Sequence, residues 1–148
     1  MKYNYNFNKN DYKTPPVLYN KALKYFGINE FVLDTCCSEK NIPAKLHYIN
    51  GEKDGLKETW YDYSWCNPPY NDCSKWVEKA FNLNNELGIN IAMLIPCRTE
   101  TKYWHEYILS NPNVDVVWLR KGYKFLDKDN QEMGVFKNAL ALVYFRGN

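Results

Sequence analysis

Ile89-Asn90-Ile91-Ala92-Met93-Leu94-Ile95 is the segment that most restricts the fold, with a single polar side chain in seven residues and Pro96 directly behind it. The run is far too short to cross a bilayer. Its apolarity is nearly continuous, so it has no polar face to give to solvent. It therefore reads as a central strand covered on both sides, the usual state of a strand in a parallel sheet flanked by helices. The neighbouring segments agree. Trp76, Val77, Ala80, Phe81 and Leu87 keep helical spacing over about Ser74 to Leu87, and Gly88 ends that helix. A second helix is expected over about Thr101 to Leu109, with Tyr103, Trp104, Tyr107 and Ile108 inward and Asn111-Pro112 closing it. Further upstream, Thr14-Pro15-Pro16 opens a helix with Thr14 as N-cap and Pro15 in the first helical position; Leu18, Ala22, Tyr25 and Phe26 form its apolar face and Gly27 its stop.

Between these helices lie shorter strand signals. Phe31-Val32-Leu33 reads as a buried strand ending at Asp34, Tyr63-Ser64-Trp65-Cys66 as another, and Val114 to Leu119 and Ala139 to Phe145 as two more. Residues 39–62 are mostly polar, with Asp54-Gly55 as a turn, and residues 120–138 read as a charged excursion. Strands alternating with helices define an α/β class with a largely parallel sheet, closed by the last two apolar strands as an antiparallel hairpin. The expected organisation is a flexible N-terminal arm, 1–13, and a single compact domain, 14–148.

Composition excludes more than it selects. The net charge of +2 exerts no strong global pull on polyanions, so any nucleic-acid surface must be a local cationic patch. Five cysteines at 36, 37, 66, 73 and 97 form no C-x-x-C pair, which argues against a zinc knuckle or disulfide framework and for packing residues in a reducing cytoplasm; no metal site is expected. No signal peptide or membrane-length apolar run is visible. His47, in a polar loop, and His105, on an aromatic-rich helix, read as surface or packing residues.

Asn67-Pro68-Pro69-Tyr70 follows the Tyr63–Cys66 strand. In isolation such a string is a stiff proline turn. At a strand end it also suits one chemistry, methyl transfer to an amino group conjugated to a ring. Such an amine is a poor nucleophile because its lone pair is delocalised. Two acceptors on its N–H groups, the Asn67 side-chain oxygen and the Pro68 carbonyl, would pyramidalise it and aim the lone pair. Tyr70 offers a face for stacking. The prolines stiffen the loop and present carbonyls without N–H groups. Asp34 is the second anchor: a carboxylate at a strand end, followed by small residues, suits a polar and cationic cofactor. Thr35 to Ser38 contain no glycine, which excludes a dinucleotide-type phosphate cradle.

An ordered set of segments then resembles a known family. Asp11-Tyr12-Lys13-Thr14-Pro15, Leu33-Asp34-Thr35-Cys36-Cys37-Ser38, Asp54-Gly55-Leu56, Trp60, Asn67-Pro68-Pro69-Tyr70, Trp76-Val77-Glu78-Lys79-Ala80 and Leu94-Ile95-Pro96-Cys97-Arg98-Thr99 resemble the phage-type DNA N-6-adenine methyltransferases. Lys121-Gly122-Tyr123-Lys124-Phe125 looks like that family's Gly-Arg-x-x-Phe stretch, with Tyr123 in place of the Arg. The resemblance implies a Rossmann-like, S-adenosylmethionine-dependent enzyme of a phage or prophage, working on adenine in DNA in a bacterial cytoplasm. It implies that Asn67, Pro68, Pro69 and Tyr70 are catalytic. Thr14, Pro15, Asp34, Thr35, Cys36, Asp54, Leu56 and Asn67 would bind the cofactor, with Glu39 and Asn41 as candidates for its ribose hydroxyls.

One departure stands out. About 25 residues separate Asp34 from Trp60, too few for the usual pair of strand–helix units, so the ribose-binding acid of a typical second strand has no secure counterpart. Nor does the chain leave room for a separate target-recognition domain. DNA contact then falls to cations near the expected strand ends: Lys13, Arg98, Lys121 and Lys124, with Lys102 and Arg120 as further candidates and Tyr70 against the flipped adenine. Two other readings keep the same loop. One moves the substrate to cytosine N-4, an RNA base or a protein glutamine; the other is a nucleic-acid-binding relative without catalysis.

Overall fold

The computed structural model describes residues 13–127, 129–135 and 139–148; the expected arm up to residue 12 lies outside them. Helix α1 spans Pro16–Phe26, one residue later than the sequence suggests. Pro15 is extended, at φ −66° and ψ 144°, because the ring of the next proline disfavours a helical conformation before it. Thr14 consequently makes no cap hydrogen bond, and its hydroxyl is used elsewhere.

Strand β1, Phe31–Cys37, continues past Asp34. Strand β2, Ala44–Ile49, then runs parallel beside it within the stretch that sequence patterning left as polar chain. Only the six residues 38–43 join these two strands, where a parallel crossover ordinarily needs a dozen or more and a helix. The return is made by a non-helical strap, and Ile42, 5 % exposed, fills the core where a crossover helix would pack. The missing strand–helix units of the sequence analysis are thus a strand without a helix. Strand β2 escaped notice because it is an edge strand: Lys45 and Leu46 face solvent, and the apolar signal is diluted.

Strand β3, Ser64–Cys66, is followed by a 3₁₀ turn at Tyr70–Asp72 and by helix α2, Cys73–Leu87, which ends at Gly88 with φ +68°. Strand β4 is Ile91–Pro96. The expected helix over 101–109 is a shorter π-helical segment, Trp104–Leu109. There the Ser110 hydroxyl donates to the His105 carbonyl at 2.8 Å, a side-chain bond of the kind that perturbs the regular ladder. Strand β5 is Val114–Trp118, and the charged excursion contains a two-stranded antiparallel ribbon of β6, Lys124–Leu126, and β7, Glu132–Val135. Strand β8, Leu140–Phe145, completes the main sheet.

The sheet order is β2-β1-β3-β4-β8-β5, with the first four strands parallel. The expected closing hairpin is more deeply built than an edge addition. Strand β8 runs antiparallel to β5 on one side and to β4 on the other, so it lies inside the sheet and all its residues are buried, whereas β5 is the edge and alternates in exposure. Alternate residues of β4 and β8 supply two cores. Ile91, Met93, Ile95, Val143 and Phe145 pack with Trp76, Val77 and Ala80 of α2 and with Trp104 and Ile108. Ala92, Leu94, Leu142 and Tyr144 pack with Leu18, Ala22 and Leu23 of α1. Helices on both faces of a mixed, mostly parallel sheet meet the expectation set by the Ile89–Ile95 run. No helix among the described residues is long and apolar enough to cross a membrane.

Candidate active site

The chain leaves β1 on one side to make β2 and returns on the other side as β3, so sheet order reverses between β1 and β3. Crevices of α/β proteins open at such switch points, beyond the carboxyl ends of the strands. Here an open crevice is lined by Asp34, Cys36, Cys37, Trp65, Asn67, Pro68 and Pro69 from these strands and their ends, by Ser38, Glu39, Asn41 and Ile42 from the strap, and by Lys13, Thr14 and Asn50.

Asp34 is 1 % exposed and pairs in register with Trp65 of β3 and His47 of β2. One carboxylate oxygen accepts the Cys36 amide at 3.4 Å, while Oδ2 has no hydrogen-bond partner among the described residues. Burial pushes the Asp34 carboxyl above the ordinary carboxylate range, and neighbouring His47 opposes that shift. The side chain is a buried carboxyl group with hydrogen-bonding capacity left on Oδ2. Sequence reading placed His47 in a polar loop. Instead it lies on β2 with its side chain 8 % exposed, and Nδ1 stands 3.7 Å from Asp34 Oδ2.

Asn67 leaves the carboxyl end of β3. Its Nδ2 donates to Thr14 Oγ1 at 3.1 Å, and Thr14 is 3 % exposed. The Thr14 carbonyl in turn accepts Asn41 Nδ2 at 3.0 Å. One hydrogen-bonded line thus joins strap, chain entry and Asn-Pro-Pro loop, and it occupies the donor side of the Asn67 amide. The acceptor oxygen is the end left for a ligand. Pro68 is buried, and the Pro69 carbonyl accepts the Asp72 amide at 3.1 Å, which ties the loop into the start of α2. Tyr70 is half-buried and packs towards the α1-side core, and it is not among the crevice-lining residues.

Other expected cofactor residues separate into two groups. Cys36 lines the crevice and its thiol donates to Asn50 Oδ1 at 3.3 Å. Thr35 does not line it, because its hydroxyl is spent on the Trp65 carbonyl across the strands at 3.0 Å. Pro15 stays outside as the helix N-cap residue. Asp54 and Leu56 also lie off the crevice wall. Asp54 Oδ1 accepts the Leu56 amide at 3.0 Å in a local turn, and Leu56 packs on the α2-side core. That turn is clamped: Lys79 Nζ donates to the carbonyls of Gly55, Leu56 and Glu58, and Trp60 Nε1 to Gly55 at 2.7 Å. A Cβ on Gly55 would stand 2.1 Å from the Thr35 carbonyl, so no larger residue fits there.

The sequence reading missed His47, Asn50, Ser38 and Trp65. Trp65 sat in the strand before the motif, so adjacency could have found it. The others depend on β2 and on the strap, which carried no periodic signal. Of the expected DNA contacts, Lys13 is the most enclosed. It forms a bridge with Leu126 of β6, its side chain is 11 % exposed, and its ammonium meets Glu39 at 3.0 Å and Asn130 at 2.9 Å. That makes it part of the crevice wall. Arg98 is exposed and pairs with Glu100; Lys124 is exposed and stands 3.6 Å from Glu132; Lys121 and Arg120 are exposed on the approach to β6. All five cysteines are free, and burial pushes the Cys73 thiol up to about 12, which leaves it protonated and unsuited to nucleophilic work.

A buried carboxylate and an anchored amide thus flank one switch-point crevice of an α/β protein. Comparison with known proteins narrows the class. Residues 4–146 match the family model described as DNA N-6-adenine-methyltransferase (Dam), and the chain belongs to that family. A DNA N-6-adenine-methyltransferase of Haemophilus phage HP1 (strain HP1c1) is 29 % identical over 125 residues, which cover 84 % of this chain and 70 % of that protein.

Proposed function

We propose that this crevice transfers a methyl group from S-adenosylmethionine to the N-6 amine of adenine in DNA. The observation that carries the reading is the anchored Asn67 amide beside buried Asp34, in a chain of the DNA N-6-adenine-methyltransferase family. The sheet order and its switch point support a Rossmann-like methyltransferase fold, built as one domain over 14–148.

The donor set fits the cofactor. Asp34 Oδ2 is a buried acceptor without a hydrogen-bond partner, suited to a ligand carrying a sulfonium and an ammonium. Asn41, Asn50 and Glu39 offer polar groups for hydroxyls, and Trp65 offers an aromatic wall. When bound, S-adenosylmethionine supplies an electrophilic methyl on positively charged sulfur. The protein does the rest. Asn67 Oδ1 and the Pro68 carbonyl accept the two N–H groups of the adenine amine, drawing its lone pair out of conjugation. Thr14 keeps the Asn67 oxygen facing the substrate. With the cofactor bound, the amine so held would take its methyl in exchange for the C–S bond, whose electron pair would stay on sulfur, and one N–H proton would pass to solvent. Adenine reaches the loop flipped out of its stack, with Tyr70 turning a ring face to it. A phage or prophage enzyme acting in a bacterial cytoplasm is the setting that this reading supports.

The test is incubation with S-adenosylmethionine and methylation-free DNA, followed by mass spectrometry of the nucleosides. N-6-methyladenine is the expected product. Its absence sinks the reading, and N-4-methylcytosine in its place would move the activity to the other base.

A further inference from the structure

The contact between Asp34 and His47 is not an ordinary hydrogen bond. Neither Asp34 Oδ2 nor His47 Nδ1 has a hydrogen-bond partner among the described residues, although the two side chains are 1 % and 8 % exposed. Buried polar atoms nearly always find partners. Their 3.7 Å separation is too long for a direct bond. It is also too short for a bridging water, which would hold its two partners about 4.5 Å apart. Two ligand atoms at roughly 2.0–2.1 Å from a tetrahedral ion stand about 3.3 Å apart, close to the observed gap.

A third donor is placed beside them by the backbone. Asp34 and Cys37 are three residues apart, so a regular strand would point them to opposite faces. The register of β1 against β2 shifts between these two positions, and such an irregularity reverses the parity. As a result Cys37 Sγ, a carboxylate oxygen of Asp34 and a ring nitrogen of His47 all lie within 4.8 Å of one another. Asp34 and Cys37 also line the crevice, which leaves that side open for a fourth ligand.

We infer that Asp34, Cys37 and His47 form a site for a thiophilic divalent cation, with Zn²⁺ the best match to one carboxylate, one imidazole and one thiolate. Binding converts the Cys37 thiol to a thiolate and releases its proton to solvent. The Tyr48 carbonyl, which accepts the Cys37 S–H at 3.6 Å, loses that donor. The ion takes the Asp34 oxygen that the proposed cofactor contact also uses, so the two bind in competition; the site itself does not depend on the methyl-transfer reading, since a protein that fails to methylate DNA can still bind the ion.

The experiment is titration of the full chain, freed of metal, with Co²⁺, read by the near-ultraviolet thiolate-to-cobalt charge-transfer band. One equivalent should develop the band, and Zn²⁺ should displace it. Cys37→Ser should abolish it, Cys36→Ser should keep it, and His47→Gln should weaken binding by at least about tenfold. No band in the parent overturns the proposal, as does a band retained in Cys37→Ser. Circular dichroism checks that each variant is folded. Should Cys37→Ser fail that check, His47→Gln decides: undiminished affinity overturns the site, and weakened affinity supports it.

Discussion

The crevice floor and the cationic rim are built on opposite terms. On the floor, Asp34 and Thr14 are buried, and Asn67 is held by a side chain 53 residues away in sequence. At the rim, Arg98 is paired with Glu100, Lys124 with Glu132 and Lys102 with Glu106, all with exposed side chains. The floor's order is set during folding, so its dipoles are aimed before any ligand arrives. The rim's charges are screened by water and salt, and under the proposed function each would exchange a carboxylate for a phosphate when DNA binds. Chemistry should therefore fail steeply when the floor is altered, while DNA affinity should fall in small steps, most visibly in its salt dependence.

The largest break is Asn67→Ala. It removes the side-chain acceptor while leaving the prolines, and the single-turnover methylation rate is expected to fall by about 10²–10³, the loss typical of one preorganised polar group. Cofactor affinity, read by calorimetry with S-adenosylhomocysteine, should change by no more than about threefold. A variant that methylates at the parent rate would remove Asn67 from the chemistry.

Asp34→Asn separates binding from stability. Cofactor affinity should fall by roughly 10–100-fold, because a charge-assisted contact in a buried setting becomes a neutral one. The ligand-free protein, in EDTA, should become more stable. Burial raises the Asp34 carboxyl above its unfolded value, so the folded state binds that proton more tightly than the unfolded state does. The ionised side chain thus costs stability once pH climbs through the raised value, and below about pH 4 both states are protonated and the cost vanishes. The gain from Asn should be small near pH 4 and grow with pH until the folded-state carboxyl is also ionised, at about 2–4 °C in melting temperature per kcal/mol. A gain that shrinks with rising pH would contradict this account.

Thr14→Val sharpens the contrast from outside the reacting groups. It keeps the shape and removes the acceptor that pins the Asn67 amide, so the methylation rate should drop about tenfold with little change in cofactor affinity, and Thr14→Ser should restore it. Equal losses in Val and Ser would make Thr14 a packing residue instead.

What could be read from sequence follows the same division. Asp34 and Asn67 were legible because each follows an apolar run, and α/β topology brings such strand ends together. Thr14 was named as a helix cap and, through the family resemblance, as a cofactor contact; its bond to Asn67 was not foreseen. Its hydrogen-bond partner, Asn67, lies just past the end of β3, and no local pattern connects the two. Asp54 and Leu56 marked a real turn, yet a turn signal gives no direction, and Lys79 clamps this one against the other core. His47 was hidden by an edge strand whose exposed Lys45 and Leu46 break the alternation. Lys13 illustrates the limit for charges. A lysine in a sequence does not disclose whether it faces solvent or, as here, Glu39.

The smallest expected effect tests the rim itself. Arg98 follows β4 and Pro96, is exposed, and points its charge at Glu100, which already belongs to the same loop. Phosphate contact would only replace one exposed partner by another, so the net gain is modest. Arg98→Ala should raise the Kd for DNA a few-fold at low salt, lower the slope of log K against log salt by about one, and leave the single-turnover rate at saturating DNA unchanged. Glu100→Ala should act in the opposite direction, because it frees Arg98 before DNA arrives. If Arg98→Ala instead lowered the saturated rate and left the salt slope alone, Arg98 would be part of the floor, and the boundary between the two regions would have to move past the end of β4.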